Sequence, residues 1–537
     1  MGINFYDWTV LALYCAVLIA VGLAKGKRAS SGEYFVSKGT LPWWVIASAF
    51  VATGMNTEQL VGQNGMGYTI GLTMVNWYMI ALFVYTLLVF VFLPIYLRNG
   101  IVTMPEFLGR RYGEGTRNIF TVFLLTSYVL LNLAVVFYGG AKLLEVIMGL
   151  DIWYGVLLLG VISGIYTMYG GMAGASYAAV FQFVLIFVSG ALIFTLAYLR
   201  LPHGWSDVVA NAPGGFHLMQ PMNYPVIPWH AIPLTILGLH LYYSCVNQAL
   251  VQRCFGARTE WDARMAIIAS GFFVILRPFV EIFPGMMCRA IGTVDPRFNL
   301  GGQPVDNVFP LLIRELIPAG FRGLILVGIL ATVMSTISAY LNSISTLFTL
   351  DVYKKWINPT AGEKKLVAVG TIATLVLMVF SVLYSPLVGI IGGGIFHYFQ
   401  MMASYLAVPI ATVFLVGILW KRATPASALT VMIAGIPLGI LIAWLIPRLF
   451  SEEIVARFSL DNFFVNSGIT QAACVLLMVT VSLFTPPKPV ESISSLLLKR
   501  ETLSLPPDEP KHPFLQSIWL WWGIFALVYV VLYVKLW

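Results

Sequence analysis

The stretch "AFVATGMNTEQLVGQNGMGY", residues 49–68, decides how the chain is read. It opens inside an apolar run and breaks at Gly54-Met55-Asn56. An acid, two glutamines and glycines at 62, 65 and 67 follow, with another at 71. A helix that only crosses a bilayer has no use for this pattern. Every backbone polar group in hydrocarbon must be satisfied, so unwound chain survives there only where it lines a cavity or binds something. Carbonyls released between Ala52 and Met55 are therefore candidate ligands for a hard cation, which wants several oxygens.

Composition supplies the setting. Of 537 residues, 59% are hydrophobic and 10% charged, against about 25% charged in soluble domains. Apolar runs of membrane-spanning length recur throughout, so an all-α polytopic membrane protein is expected. Fourteen spans are legible: 5–24, 42–68, 72–97, 118–147, 152–169, 172–199, 230–252, 265–291, 322–350, 364–384, 387–420, 425–446, 464–485 and 516–535. The first lacks a basic leader and is followed by "KGKR", so no cleavable signal is expected. The five cysteines are scattered without metal or disulfide spacing. With the N-terminus outside, 21 of the 31 lysines and arginines fall in cytoplasmic connections and nine opposite, Arg277 being inside a span. Both termini are then extracytoplasmic. The net charge of +8 is topogenic, and no nucleic-acid motif is present. The loops 200–229 and 292–321 are rich in Pro, Gly and Asn, and 486–515 reads as a linker.

The second and seventh spans share an oddity. "LGLHLYYSCVNQ", residues 237–248, loads the seventh with His, Tyr, Ser, Asn and Gln. The two spans lie five apart, so equivalent helices would cross in opposite directions, the pattern of inverted repeats around a midplane binding site. The ninth span is dense in hydroxyls: Thr332, Ser335, Thr336, Ser338, Ser343, Ser345 and Thr346. Most such hydroxyls bond their own helix or glue helices together. The adjacent pair Ser335–Thr336, one turn after Thr332, is instead suited to complete an oxygen site.

The segments "GEYFVSKGTLPWWVIASAFVATGMNTEQLVGQNGMGYTIGL", "GIVTMPEFLGRRYG", "YGGMAGASYAAVFQFV", "HLYYSCVNQALVQR", "STISAYLNSISTLFTLDVYKK" and "FLVGILWKRATPASA" occur in this order along nearly the whole chain. Together they resemble the sodium:solute symporter family, and within it the bacterial sodium–sugar symporters. The resemblance implies fourteen helices with a five-plus-five inverted-repeat core: a peripheral helix at 5–24, repeats at 42–199 and 230–420, and peripheral helices in 425–537. It implies a sodium site formed by the carbonyls of Ala52, Met55 and Thr332 and the hydroxyls of Ser335 and Thr336, with Na+ as coupling ion. It also implies a bacterial inner membrane. On the solute side, Gln59 matches a sugar-contacting glutamine and Tyr243 the aromatic that closes the pocket. The family's acid falls at Tyr78, its asparagine at His240, its lysine at Val274, and its glutamine near Met401 beside Gln400. The acid that builds a second sodium site in some members falls at Ala179.

Remaining polar residues have competing readings. Glu58 suits the N-terminus of the restarted half-helix, which favours an anion. Arg277 and Glu281, four apart beside Pro278, share a helix face. Each costs about 2.5–3.5 kcal/mol at a membrane centre, so they must face inward and pair. They are either a structural ion pair or a displaced replacement for the family lysine. His397 reads as a hydrogen-bonded core residue. The expected function is symport of a small polar solute, a sugar or polyol, by alternating access. The alternative is a carboxylate or amino acid held by His240 or Arg277. A channel needs no such pocket, and without a metal triad, nucleophile elbow or phosphate loop no enzyme is expected.

Overall fold

The computed structural model describes residues 5–25, 30–224, 226–318, 321–390 and 395–537. Among these residues every regular element is helical, and the only extended pairing is an isolated bridge between Leu41 and Ala257. Among the described residues eleven helical runs are long and apolar enough to cross a membrane. Trp43–Gly54 and Ala231–Val246 are shorter apolar helices, and these belong to the two spans expected to be interrupted. The run holding Arg322–Leu347 is 94% buried over its apolar window, whereas that of Ile518–Leu536 is 17% buried. The hydroxyl-rich ninth span is therefore the centre of the bundle, and the last helix lies at its edge.

Both interruptions are built alike. Helix Trp43–Gly54 stops at Met55 (φ −97°, ψ 95°), and the chain resumes through a π-turn at Glu58–Gly62 into Gln63–Ile70. The restarted half is capped by Asn56, whose Oδ1 accepts the N–H of Gln59 at 2.9 Å. In the seventh span, Ala231–Thr235 passes through π-turns and breaks at Asn247 (φ −64°, ψ 113°) before Gln248–Phe255. Asn247 Oδ1 accepts the N–H of Ala249 at 3.0 Å. Asparagine serves both caps because its short side chain satisfies an N–H that a helix start leaves unpaired. Glu58 is not the cap expected from its position; Asn56 performs that task.

Elsewhere glycine decides the path. The run Ile152–Tyr198 is two helices meeting at Gly171 (φ 55°, ψ −157°), where a Cβ would also strike the Tyr34 carbonyl. The eighth span runs Glu260–Leu276, kinks at Pro278 and Ile282, and continues as Phe283–Ile291. The eleventh span divides into a 3₁₀ segment, Ser385–Ile390, and helix Ile395–Leu419. The side chain of His397 lies outside the described residues.

The segment 486–515 is not the loose linker its composition suggests. It is docked on the bundle. Arg264 donates to the carbonyls of Thr502 and Leu503 at 2.8 and 3.0 Å, Arg98 to that of Glu501 at 3.1 Å, and Leu498 N–H to Ile418 O at 3.0 Å. Within it, Ile493 and Leu496 are buried.

After its break, the second span packs against Phe283–Ile291 and the Ile282 that precedes it through Gly67 and Gly285, while Gly65 lies against the Val305 carbonyl. A Cβ at Gly285 would overlap the Asn64 carbonyl, and one at Gly67 the Ile282 carbonyl. This is the small-residue packing that lets membrane helices approach backbone to backbone. Gly285→Ala should therefore cost about 1–3 kcal/mol by overpacking, read as a lower melting temperature in detergent. Gly523→Ala, where a Cβ meets nothing within 4 Å, should be neutral.

Candidate functional site

The break in the second span faces the ninth helix on one side. Ser335 Oγ donates to Ala52 O at 2.8 Å and reaches Thr332 O at 3.1 Å. Thr336 Oγ1 donates to Thr53 O at 3.1 Å and reaches Thr332 O at 3.3 Å. All five residues are buried. Of the residues expected at a sodium site, Ala52, Thr332, Ser335 and Thr336 thus converge. Met55 lies at the break, buried, with its N–H bonded back to the carbonyls of Val51 and Ala52; no hydrogen bond joins it to Ser335 or Thr336. The carbonyl of Thr53, inside the stretch 52–55 expected to release carbonyls but absent from the ligand set that the resemblance implies, belongs to the cluster. Neutral carbonyl and hydroxyl oxygens so arranged suit a hard cation of low charge. Among the described residues no group of three or more His, Cys, Asp or Glu could hold a metal ion.

On its other side the break opens on a cavity. Glu58, Gln59, Tyr78, His240, Tyr243, Val274, Arg277 and Gln400 all line it. Gln59, Tyr78, His240, Tyr243 and Gln400, the five residues expected at a solute site, are brought together although they are spread over more than 340 positions. Gln400 faces the cavity, and its neighbour Met401 does not line it. Asn247, part of the polar stretch 237–248, also lines the wall, as do Trp77, Tyr85 and Tyr340, which were not singled out from sequence. They sit on helices whose aromatic content reads equally well as packing.

A continuous hydrogen-bond chain crosses this wall, with Glu58 at its centre. Its carboxylate accepts from Gln59 Nε2 at 2.7 Å, Gln400 Nε2 at 2.6 Å and Asn56 Nδ2 at 3.2 Å. Tyr243 donates its hydroxyl to Gln400 Oε1 at 3.1 Å, and Gln63 donates to Gln59 Oε1. Glu58 therefore fixes which way both glutamine amides point. The ring of His240 meets Trp77 edge-on, 4.3 Å between centroids, and its Nε2 is buried without a hydrogen-bond partner.

Arg277 and Glu281 form the ion pair read from their spacing. Arg277 Nε and Nη2 donate to the Glu281 carboxylate at 2.9 and 3.2 Å, and Nη2 also donates to Gly54 O at 2.8 Å. Tyr78 donates its hydroxyl to Glu281 and carries the guanidinium over its ring, 4.7 Å from the centroid. The pair touches both the break and the cavity. It is structural, because it satisfies a carbonyl at the break. It also belongs to the cavity, because Arg277 lines the wall while Glu281 stands behind it. Glu281→Gln should leave a buried guanidinium without its counter-charge, which costs about 3–5 kcal/mol. A large drop in melting temperature is expected, partly recovered by adding Arg277→Gln; equal stability of wild type and Glu281→Gln would count against the pair.

Comparison with known proteins gives these features a context. The sodium:solute symporter family profile matches residues 34–435. The sodium/glucose cotransporter of Vibrio parahaemolyticus is 31% identical over 475 residues, covering 83% of this chain and 86% of that protein. The sodium/myo-inositol cotransporter 2 of Oryctolagus cuniculus is 31% identical over 534 residues, covering 91% and 78%. A solved structure of a Na+-coupled sialic acid symporter superposes with a TM-score of 0.77 at 21% identity, covering 90% of this chain and 99% of that one, which shows a shared fold. With a family profile over most of its length and relatives matching nearly end to end, the chain belongs to the sodium:solute symporter family.

Proposed function

We propose that this protein couples inward sodium flow to uptake of a small neutral polar solute, a sugar or polyol, by alternating access. One observation carries the reading: a single break in the second span presents oxygens to the ninth helix on one side and polar side chains to a cavity on the other. Ala52 and Thr53 meet Ser335 and Thr336, while Glu58 and Gln59 line the cavity a few residues on. Sodium would be held by the carbonyls of Ala52, Met55 and Thr332 with the hydroxyls of Ser335 and Thr336. Gln59, Tyr78, His240, Tyr243 and Gln400 would contact the solute. Relatives named for glucose and myo-inositol support the solute class.

The charge inventory of the cavity favours this over a carboxylate or amino acid. Arg277 is committed to Glu281 and Gly54, and Glu58 adds a carboxylate to the wall. An anionic solute would meet a negative group and no uncommitted cation among the described lining residues. A neutral polyol needs only donors and acceptors, which the amides, phenols and His240 provide.

The protein would sit in a cell membrane with both termini outside, supported by the lysine and arginine distribution. Residues 42–199 and 230–420 would form the two inverted repeats, flanked by 5–24 and 425–537. The similar asparagine-capped breaks at Asn56 and Asn247 support that symmetry.

Two substitutions separate the halves of the proposed site. Ser335→Ala removes one ligand to a charged ion, worth about 1.5–3 kcal/mol, so half-saturating sodium should rise about tenfold or more. His240→Ala should weaken solute binding while leaving sodium binding, measured alone, unchanged. An unaltered sodium response in Ser335→Ala/Thr336→Ala would show the ion site to be misplaced.

Stoichiometry is the second test. Ala179 carries no charge where some family members place the acid of a second sodium site, so one sodium should accompany each solute. A charge crossing about 100 mV contributes about 2.3 kcal/mol, and a tenfold sodium gradient about 1.4 kcal/mol. Together they support roughly 500-fold accumulation of a neutral solute. Reversal-potential measurements in proteoliposomes should give one charge per solute; a null point requiring two would refute this.

A further inference from the structure

Arg253 lies on Gln248–Phe255, just past the break in the seventh span, and is 1% exposed. Its Nη1 donates to Ser176 Oγ at 3.2 Å. Its Nε and Nη2 have no hydrogen-bond partner, and no ion pair involves it among the described residues. Other deeply buried arginines differ. Arg111 directs its guanidinium to the carbonyls of Gly417, Trp420 and Ala423. Arg264 pairs with Glu260, and Arg277 with Glu281.

A guanidinium stays charged and presents its N–H groups in a planar fork. Nε–H and one N–H of Nη2 lie along the same edge of that fork, so the two unpartnered nitrogens of Arg253 form one bidentate donor. A buried charge without a counter-charge is strongly unfavourable. The neighbouring side chains supply none. Ser176 bonds to the Met172 sulfur, Ala179 lies one turn further along the same helix, and Tyr166 donates its hydroxyl to Met334 O.

We propose that the open edge of the Arg253 guanidinium binds a small inorganic anion, chloride in the cell, which supplies the missing counter-charge between the sixth and seventh spans. The anion stabilises the folded transporter, and its effect is independent of which solute is carried.

Purified full-length protein in detergent, at fixed sodium, is melted while chloride replaces gluconate at constant ionic strength. Chloride should raise the melting temperature saturably; at 100 times its Kd it multiplies the folded-to-unfolded ratio about a hundredfold. Ser176→Asp places a carboxylate beside the guanidinium and should abolish the chloride response. Ala179→Asp serves the same end if Ser176→Asp does not fold. Identical melting of wild type in chloride and gluconate overturns the proposal. So does an equal rise with sulfate, which marks a general salt effect, or a chloride response that persists unchanged in the carboxylate variants.

Discussion

The structure turns on one constraint: an opened helix inside a bilayer must find partners for every backbone group it releases. The break at Gly54–Met55 frees carbonyls and amides where no water can satisfy them. The surrounding residues divide the work. Ser335 and Thr336 take the carbonyls of Ala52 and Thr53, Arg277 takes that of Gly54, and Asn56 caps the restarted half. The ninth helix must be central and hydroxyl-bearing, and the eighth must carry a cation at mid-span. The cation in turn demands Glu281 and draws in Tyr78. Much of the polar chemistry of this bundle follows from the need to keep one helix open.

In the proposed function the same arrangement would tie the ion side to the solute side. Gly54 stands between Ala52, whose carbonyl meets the ninth helix, and Glu58, which organises the cavity. Arg277 holds the Gly54 carbonyl while lining the cavity wall. Displacement of the break by an ion would be transmitted to Arg277, Tyr78 and the glutamines, and the reverse holds for a solute. Coupling between two sites is a reciprocal free energy carried by such contacts. The amide donors around Glu58 add rigidity, because each glutamine is fixed at both ends of its amide.

Where the family resemblance implies an acid and a lysine, this chain has Tyr78 and Val274, and the ion pair Arg277–Glu281 follows Val274 in the same span. Tyr78 contacts both members of that pair. The cavity keeps hydrogen-bonding capacity while its one arginine is neutralised. At Ala179 the chain lacks an acid, and one turn away Ser176 meets an arginine that has no carboxylate.

Sequence alone determined the features that depend on short-range chemistry. Composition placed the chain in a membrane, and Gly-Met-Asn marked where a helix opens. The 277–281 spacing predicted an ion pair, since residues four apart on a helix must meet. The order of motifs pointed to the family. Tertiary structure decided what depends on direction and on distant partners. Glu58 reads from its position as a cap, yet its carboxylate turns into the cavity because Asn56 already holds the cap and Gln400 donates to it from 342 residues away. Thr53 entered the oxygen cluster because Thr336 points at it. The segment 486–515 reads as a linker because its composition is polar, yet arginines on two other spans hold it down. Periodicity tells which residues share a face of one helix, but which faces meet is settled only by packing the helices together.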